Sequence, residues 1–246
     1  MTGDGSQAGT ALLGLREMIL DGRLAAGDAL VEAQLVETLK VSRTPVRAAL
    51  ARLEGEGLLT RGSRGGYVVR SFSLQDVADA IELRGTLEGM AARVCARDGI
   101  GRRHRADLER CLDELDDVVG RSVGPVDLAA YIPLNVELHR LLVEAAANQG
   151  LTAAIERVTA LPFASPSAFV AAQAELGRSH QILVRAQAQH RAIVTAVLAG
   201  DVELAESSAR EHAGLALENL DLARHPTSGA SDALHSVPGM ALVRPA

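Results

Sequence analysis

Residues 41–50 read Val41-Ser42-Arg43-Thr44-Pro45-Val46-Arg47-Ala48-Ala49-Leu50, and this stretch decides the fold of the first third of the chain. Ser42 is placed to cap a helix, because its side-chain oxygen can accept from the orphan N–H groups of a first turn. Pro45 falls in that first turn, where a missing N–H costs little. Val46, Ala49, Leu50 and Leu53 recur at i, i+3, i+4 and i+7, the spacing of a buried helical stripe. Gly55 and Gly57 end the helix. Upstream, Leu12, Leu15 and Ile19 mark a first helix over 11–20, and a loop runs from Gly22 through Gly27. Val31, Leu35 and Leu39 mark a second helix over 31–39. Downstream, Leu58-Leu59-Thr60 reads as a strand, 62–66 as a turn and Tyr67-Val68-Val69 as the returning strand. Two helices, a tight turn, a third helix and a β-ribbon make a winged helix-turn-helix.

The outer face of the third helix carries Arg43 and Arg47, four residues apart, with Thr44 beside them. Like charges at that spacing mildly destabilise a bare helix, and an anionic partner relieves them. Arg can grip guanine O6 and N7, or a phosphate, with two hydrogen bonds. Ser42 and Thr44 can reach phosphate oxygens at the helix N-terminus. Arg61, Arg64 and Gly65 belong to the ribbon, placed to meet a backbone or a neighbouring minor groove. Arg52 lies on the opposite side of the helix and reads as structural, a partner for Glu56.

Composition agrees once charge is resolved along the chain. The 246 residues carry a net charge of −6. Yet 40–70 hold seven basic residues and two acids, or +5, whereas 71 onward hold 16 basic and 23 acidic residues, or −7. Hydrophobic residues make up 48% and the mean hydropathy is +0.12, enough to fill a core. No apolar run is long enough to span a membrane, and the N-terminus lacks the basic start of a secretory signal. Cys95 and Cys111 form no CxxC unit, so a reducing cytoplasm is the expected compartment. Five aromatics and no Trp argue against stacking of single-stranded bases.

The runs Val41 to Leu50, Leu53-Glu54-Gly55-Glu56-Gly57-Leu58 and Arg64-Gly65-Gly66-Tyr67-Val68-Val69 closely resemble the DNA-binding domain of GntR-family bacterial transcription regulators, over about 10–70. That family usually has Glu after Pro-Val-Arg, where this chain has Ala48. The resemblance implies that Arg43, Thr44 and Arg47 read the major groove of double-stranded operator DNA, with the wing near the minor groove.

Beyond a linker at 71–73, Ser73 to Asp76 reads as a capping box opening a helix to about Arg97. Further helices are expected over 106–119, 126–147, 151–158, 180–199 and 201–222, with a connection around Pro162 and Pro166. The fold class is therefore mainly α: an N-terminal winged helix-turn-helix and an all-α bundle over 74–224. Residues 1–9 and 225–246 are expected to be disordered. Three histidines, His139, His190 and His212, sit on apolar stripes of three separate bundle helices. Burying three imidazoles is costly unless each finds a partner, and one divalent metal would satisfy all three. Asn135, one turn before His139, offers a fourth ligand oxygen. Imidazole suits Zn or Ni, and the oxygen tolerates Mn.

This half is similar to the FCD ligand-sensing domain of the FadR subfamily, over about 74–222. The marks are Glu82-Leu83-Arg84 with Leu87-Glu88, Asn135-x3-His139-x2-Leu142, His190-x2-Ile193, and Ala199-Gly200-Asp201 leading to His212. The family commonly has Asp where Asn135 stands, and often Glu at the position of Gln189. The resemblance implies a small organic-acid effector held by the metal and by Arg84, with Glu88 grouped beside it. The expected whole is a homodimeric regulator, a repressor, whose two recognition helices meet half-sites about one helical turn apart. Two rivals stand beside it: a metal-dependent hydrolase built on the three histidines, and a DNA-binding module whose bundle only dimerises.

Overall fold

The computed structural model describes residues 4–63, 65–120, 126–175, 179–224 and 237–244. The chain divides into two compact units, Met1–Val77 with Ala160–Pro162 and Pro238–Ala246, and Ala78–Thr159 with Phe163–Val237.

In the first unit, α1 (Asp4–Leu20), α2 (Glu32–Leu39) and α3 (Arg43–Gly55) precede a three-stranded sheet. Helix α1 packs on α3, burying Ala11, Leu15 and Ile19 on one side and Val46, Ala49, Leu50 and Leu53 on the other. That is the predicted stripe. Ser42 does occupy the N-cap position with extended backbone, but its side chain makes no capping hydrogen bond. The strands β2 (Leu59–Arg61) and β3 (Tyr67–Val69) pair antiparallel, with Leu59 opposite Val69 and Arg61 opposite Tyr67. The loop expected up to Gly27 is followed by a short strand, β1 (Ala29–Leu30), on the other edge of β3. Two residues are too few to show alternation in sequence. The strand exists because β3 offers a second edge.

Two stretches expected to be disordered are partly ordered. Helix α1 begins at Asp4 rather than at Ala11, since a helix anchored by buried Ala11 and Leu15 extends by one hydrogen bond per residue added. Residues 240–242 form a 3-10 turn with Leu242 fully buried. This segment returns to the first unit, where Val243 bridges Phe72 and the Arg244 N–H donates to the Phe72 carbonyl at 2.8 Å. A small-residue, Pro- and Ser-rich composition hid the apolar Leu242 that pins it. The rest of the expected tail, 225–236 and 245–246, lies outside the described residues.

The second unit is helical: α4 (Leu74–Asp98, crossing the boundary at Val77), α5 (Arg102–Gly120), α6 (Leu128–Ala145), α7 (Gln149–Thr159), α8 (Val170–Glu175), α9 (Ser179–Ala199) and α10 (Val202–Arg224). The box at the start of α4 forms as predicted: the Ser73 N–H donates to Asp76 Oδ2 at 2.7 Å and the Asp76 N–H to Ser73 Oγ at 3.1 Å. Helix α6 is capped by Asp127, which accepts from the Ala129 and Ala130 N–H groups. One apolar cluster gathers Ala91, Cys95, Leu142, Ile193, Val197 and Ala205; another gathers Leu108, Leu115, Tyr131, Leu138 and Leu183. Helices α4 and α10 approach unusually closely. A Cβ placed on Gly85 would stand 2.6 Å from that of Ala213, and one on Gly89 2.6 Å from Arg210 Cγ. This contact brings Arg84 and His212 to one cavity wall.

Candidate DNA-binding face and metal centre

The N-terminal turn of α3 presents Ser42, Arg43, Thr44 and Arg47 to solvent, with Pro45 and Val46 turned inward. Arg43 makes no ion pair among the described residues. Arg47 donates from Nε to Glu32 Oε2 at 2.8 Å, a contact to α2 that sequence reasoning missed. On the ribbon, Arg61 donates to Glu54 Oε1 at 3.0 Å and lies 4.2 Å above the Tyr67 ring. These pairs are exposed, hence weak and exchangeable. Gly65 is exposed with φ +84°, a conformation in the ribbon turn that glycine adopts freely. Arg64 lies outside the described residues. Arg52 pairs with Glu56 at 2.8 Å, as its position predicts.

In the second unit, the three histidines meet. Their ligand atoms all lie within 4.8 Å of one another. His190 Nε2 and His212 Nε2 are 3.0 Å apart. His190 Nδ1 faces Gln187 Oε1 at 3.0 Å, and His212 Nδ1 faces Gln189 Oε1 at 3.1 Å. The Gln187 amide is oriented by its own donations, from Nε2 to Asp116 Oδ1 at 2.7 Å and to the Leu112 carbonyl at 3.1 Å. A ring nitrogen facing an acceptor carries the proton, so both Nε2 atoms are left with lone pairs. Two lone pairs 3.0 Å apart in a buried site repel, and a cation between them removes the repulsion. His139 completes the arrangement: its Nδ1 donates to Glu88 Oε1 at 3.0 Å, while its Nε2 is buried without a hydrogen-bond partner among the described residues. Three Nε2 donors, each ring held from behind through Nδ1, fit a divalent metal.

Electrostatics agree. Burial pushes His190 and His212 well below the ordinary imidazole range, assisted by the neighbouring histidines, and neutral imidazole is the form that binds metal. Burial alone would raise the Glu88 carboxyl, but His139 and Arg84 hold it down at about 2. Arg84 is 2% exposed, 3.5 Å from Glu88, and its Nε and Nη1 have no hydrogen-bond partner among the described residues. It lines a cavity of about 40 Å³ with Tyr131, Asn135, Phe169, His212 and Asn219. Asn135 is buried there, donating from Nδ2 to Ser167 Oγ at 2.9 Å. The histidines, Asn135, Arg84 and Glu88, singled out in the sequence, are all buried in this unit; Gln187 and Ser167, which face His190 and Asn135, were not singled out. Gln187 could have been found as a polar residue beside Ala186 on the His190 stripe. Burial also raises the thiols of Cys95, to about 12, and Cys111, to about 11, so neither is a ready nucleophile.

A winged helix with a basic third helix, followed by an all-α domain, is the architecture of a DNA-binding transcription regulator. Residues 8–69 match the gntR family of bacterial regulatory proteins, and residues 79–215 match the FCD domain. A regulator named YdhC from Bacillus subtilis, itself described as uncharacterized, is 31% identical over 60% of this chain and 64% of its own length. A probable D-xylose utilization operon transcriptional repressor from Paenarthrobacter nicotinovorans is 31% identical over 79% of this chain and 80% of its own. The solved structure of E. coli McbR/YncC shares the fold, with a TM-score of 0.62 at 20% identity, covering 87% of this chain and 97% of that one. The chain belongs to the GntR family of DNA-binding transcription regulators, and its GntR–FCD combination is that of the FadR subfamily. No helix among the described residues is long and apolar enough to cross a membrane.

Proposed function

We propose that this regulator is a cytoplasmic homodimeric repressor whose grip on a near-palindromic operator responds to a small carboxylate effector held in the helical unit. The observation that carries the reading is a set of buried polar atoms in the helical unit: the Nε2 atoms of His190 and His212 that face each other, and His139 Nε2 with Arg84 Nε and Nη1, which have no hydrogen-bond partner among the described residues. Burying such groups without partners is costly, so the site is built for something that satisfies them. His139, His190 and His212, with the Asn135 oxygen as a fourth donor, would hold a divalent metal, with Zn, Ni and Mn as candidates. The metal, when bound, supplies a fixed positive charge with an open position for a carboxylate oxygen. Arg84 offers a carboxylate its Nε and Nη1, which make no hydrogen bond among the described residues, while the longer Nη1–Glu88 ion pair and the His139–Glu88 hydrogen bond keep both side chains in place. On the DNA side, Arg43 and Arg47 would meet bases in the major groove, Ser42 and Thr44 would meet phosphates, and Arg61, Arg64 and Gly65 would lie along the backbone or minor groove. The Ser42 hydroxyl, which makes no capping hydrogen bond, suits that role. The effector can change operator affinity only by as much as it prefers one arrangement of the dimer over another. Repression is supported by the printed description of the Paenarthrobacter relative.

The test is a mobility-shift assay on the chain's own promoter across a panel of organic acids, with and without chelator. The expected result is an acid that releases the DNA only when metal is present, and an Arg84→Ala protein that binds DNA normally but no longer responds. Release that ignores both the chelator and Arg84→Ala would overturn the reading.

A further inference from the structure

The helical unit contains a second cavity, of about 340 Å³, between α6 and α7. That is the size of sites that take small organic molecules, roughly 300–1,000 Å³. It shares only Pro166 with the cavity lined by Arg84. Val136 and Ile155 give it an apolar wall, and Thr152 contributes a hydroxyl whose proton is donated to the Asn148 carbonyl, leaving its oxygen as an acceptor. The charged groups are unbalanced. Glu88, Glu144 and Glu156 face one arginine, Arg140, and that arginine already pairs with Glu137 and Glu144. Glu156 is exposed and makes no ion pair among the described residues. At the buried end stands Glu88, 2% exposed. Its Oε1 accepts from His139, and its Oε2 is buried with no hydrogen-bond partner among the described residues.

In the metal-free chain a carboxylate entering here would meet more carboxylates than cations, because the one guanidinium is committed to Glu137 and Glu144 and the His139 ring, which also lines the cavity, already answers Glu88 Oε1. A primary ammonium supplies three donors and the opposite charge. The geometry points to a second binding site, in the α6–α7 cavity, for a small organic cation bearing a primary ammonium group, with Glu88 Oε2 as the deep acceptor and Glu156 at the rim. A short alkyl chain fills the wall of Val136 and Ile155. The site does not rest on the carboxylate reading, because its preferred charge is opposite, although Glu88 and His139 belong to both. It is nonetheless coupled to the histidines, since one carboxylate holds the ligand through Oε2 and the His139 ring through Oε1. By linkage, ligand and metal then alter each other's affinity by the same factor.

The probe is n-butylammonium chloride, with n-butanol as the uncharged control of the same length. Thermal unfolding of the full chain is followed as each is added. The expected result is a saturable rise of the midpoint with n-butylammonium and none with n-butanol. Glu156→Gln should weaken the effect several-fold, and Glu88→Gln at least tenfold. Glu88→Gln also touches His139, so Val136→Trp provides the clean arm. It fills the mouth from a position 42% exposed and should abolish the n-butylammonium response while zinc uptake is unchanged. Should Val136→Trp not fold, Glu156→Arg reverses the rim charge from an exposed position on α7. Equal effects of the amine and the alcohol, or an amine effect that survives Val136→Trp or Glu156→Arg, overturn the site. Loss of the amine response with the organic-acid response intact separates this site from the Arg84 cavity.

Discussion

Arg47 reaches Glu32 across from α2 in the free protein, so its guanidinium must exchange one acid for a base edge or phosphate when DNA arrives. The pair is exposed and costs little to break, roughly 0–1 kcal/mol. Arg47→Ala should therefore weaken operator binding by about 1–3 kcal/mol and relax base preference at one position, the loss expected of a bidentate contact. Binding titrations against the operator and against single-base variants check it, and an unchanged profile would displace α3 from the groove. At this scale the sequence was readable wherever a residue's meaning is set by neighbours on its own helix. His139, His190 and His212 were legible because each falls on an apolar stripe. The Nδ1 partners of His190 and His212 were not legible as such. Whether Gln187 meets His190 through oxygen or nitrogen depends on Asp116 and Leu112, which lie on α5.

Helices α4 and α10 owe their close approach to Gly85 and Gly89, where an added Cβ would stand 2.6 Å from its nearest neighbour. Glycine weakens a helix interior by roughly 0.5–1 kcal/mol relative to alanine, so its presence twice, four residues apart, is paid for by the contact it permits. Gly85→Leu should force the helices apart, lower stability by about 1–3 kcal/mol and weaken metal binding, because His212 precedes the Ala213 that is displaced. Urea denaturation and a zinc competition titration measure the two effects, and a Gly85→Leu protein with normal zinc affinity would show that α10 absorbs the strain elsewhere. Long amphipathic elements were readable: α3 and α4 occur where their periodicity placed them, and α5 begins four residues before the expected start. The misses were short or cooperative. β1 has two residues and depends on the free edge of β3, and the 3-10 turn at 240–242 depends on a pocket in the first unit. Local pattern carries no information about an edge or pocket built by distant residues.

For the molecule as a whole, the buried histidines set a direction for stability against pH. His190 and His212 stay neutral in the folded state, because burial depresses their pKa values, but become protonated in the unfolded chain below about 6.5. The unfolded state then binds more protons, so stability is intact above about 6.5 and falls below it, by up to about 1.4 kcal/mol per pH unit for each histidine. Glu88 acts lower down: its contribution is present above 4.5 and is lost as pH falls toward about 2. The metal-stripped chain should therefore lose urea resistance between pH 7 and pH 5, and His190→Gln with His212→Gln should flatten the slope. A midpoint that does not move with pH would mean that the imidazoles are hydrated in the apo protein.

The return of Val243 to Phe72 has a temporal consequence. Domains generally take shape in the order in which they leave the ribosome. Here the winged helix emerges first, yet Leu242, fully buried within that same unit, is translated only after all the bundle helices. The nascent DNA reader must wait, with one apolar pocket unsealed, until its sensor has been synthesised, so an early-terminated product is born defective in the part it already contains.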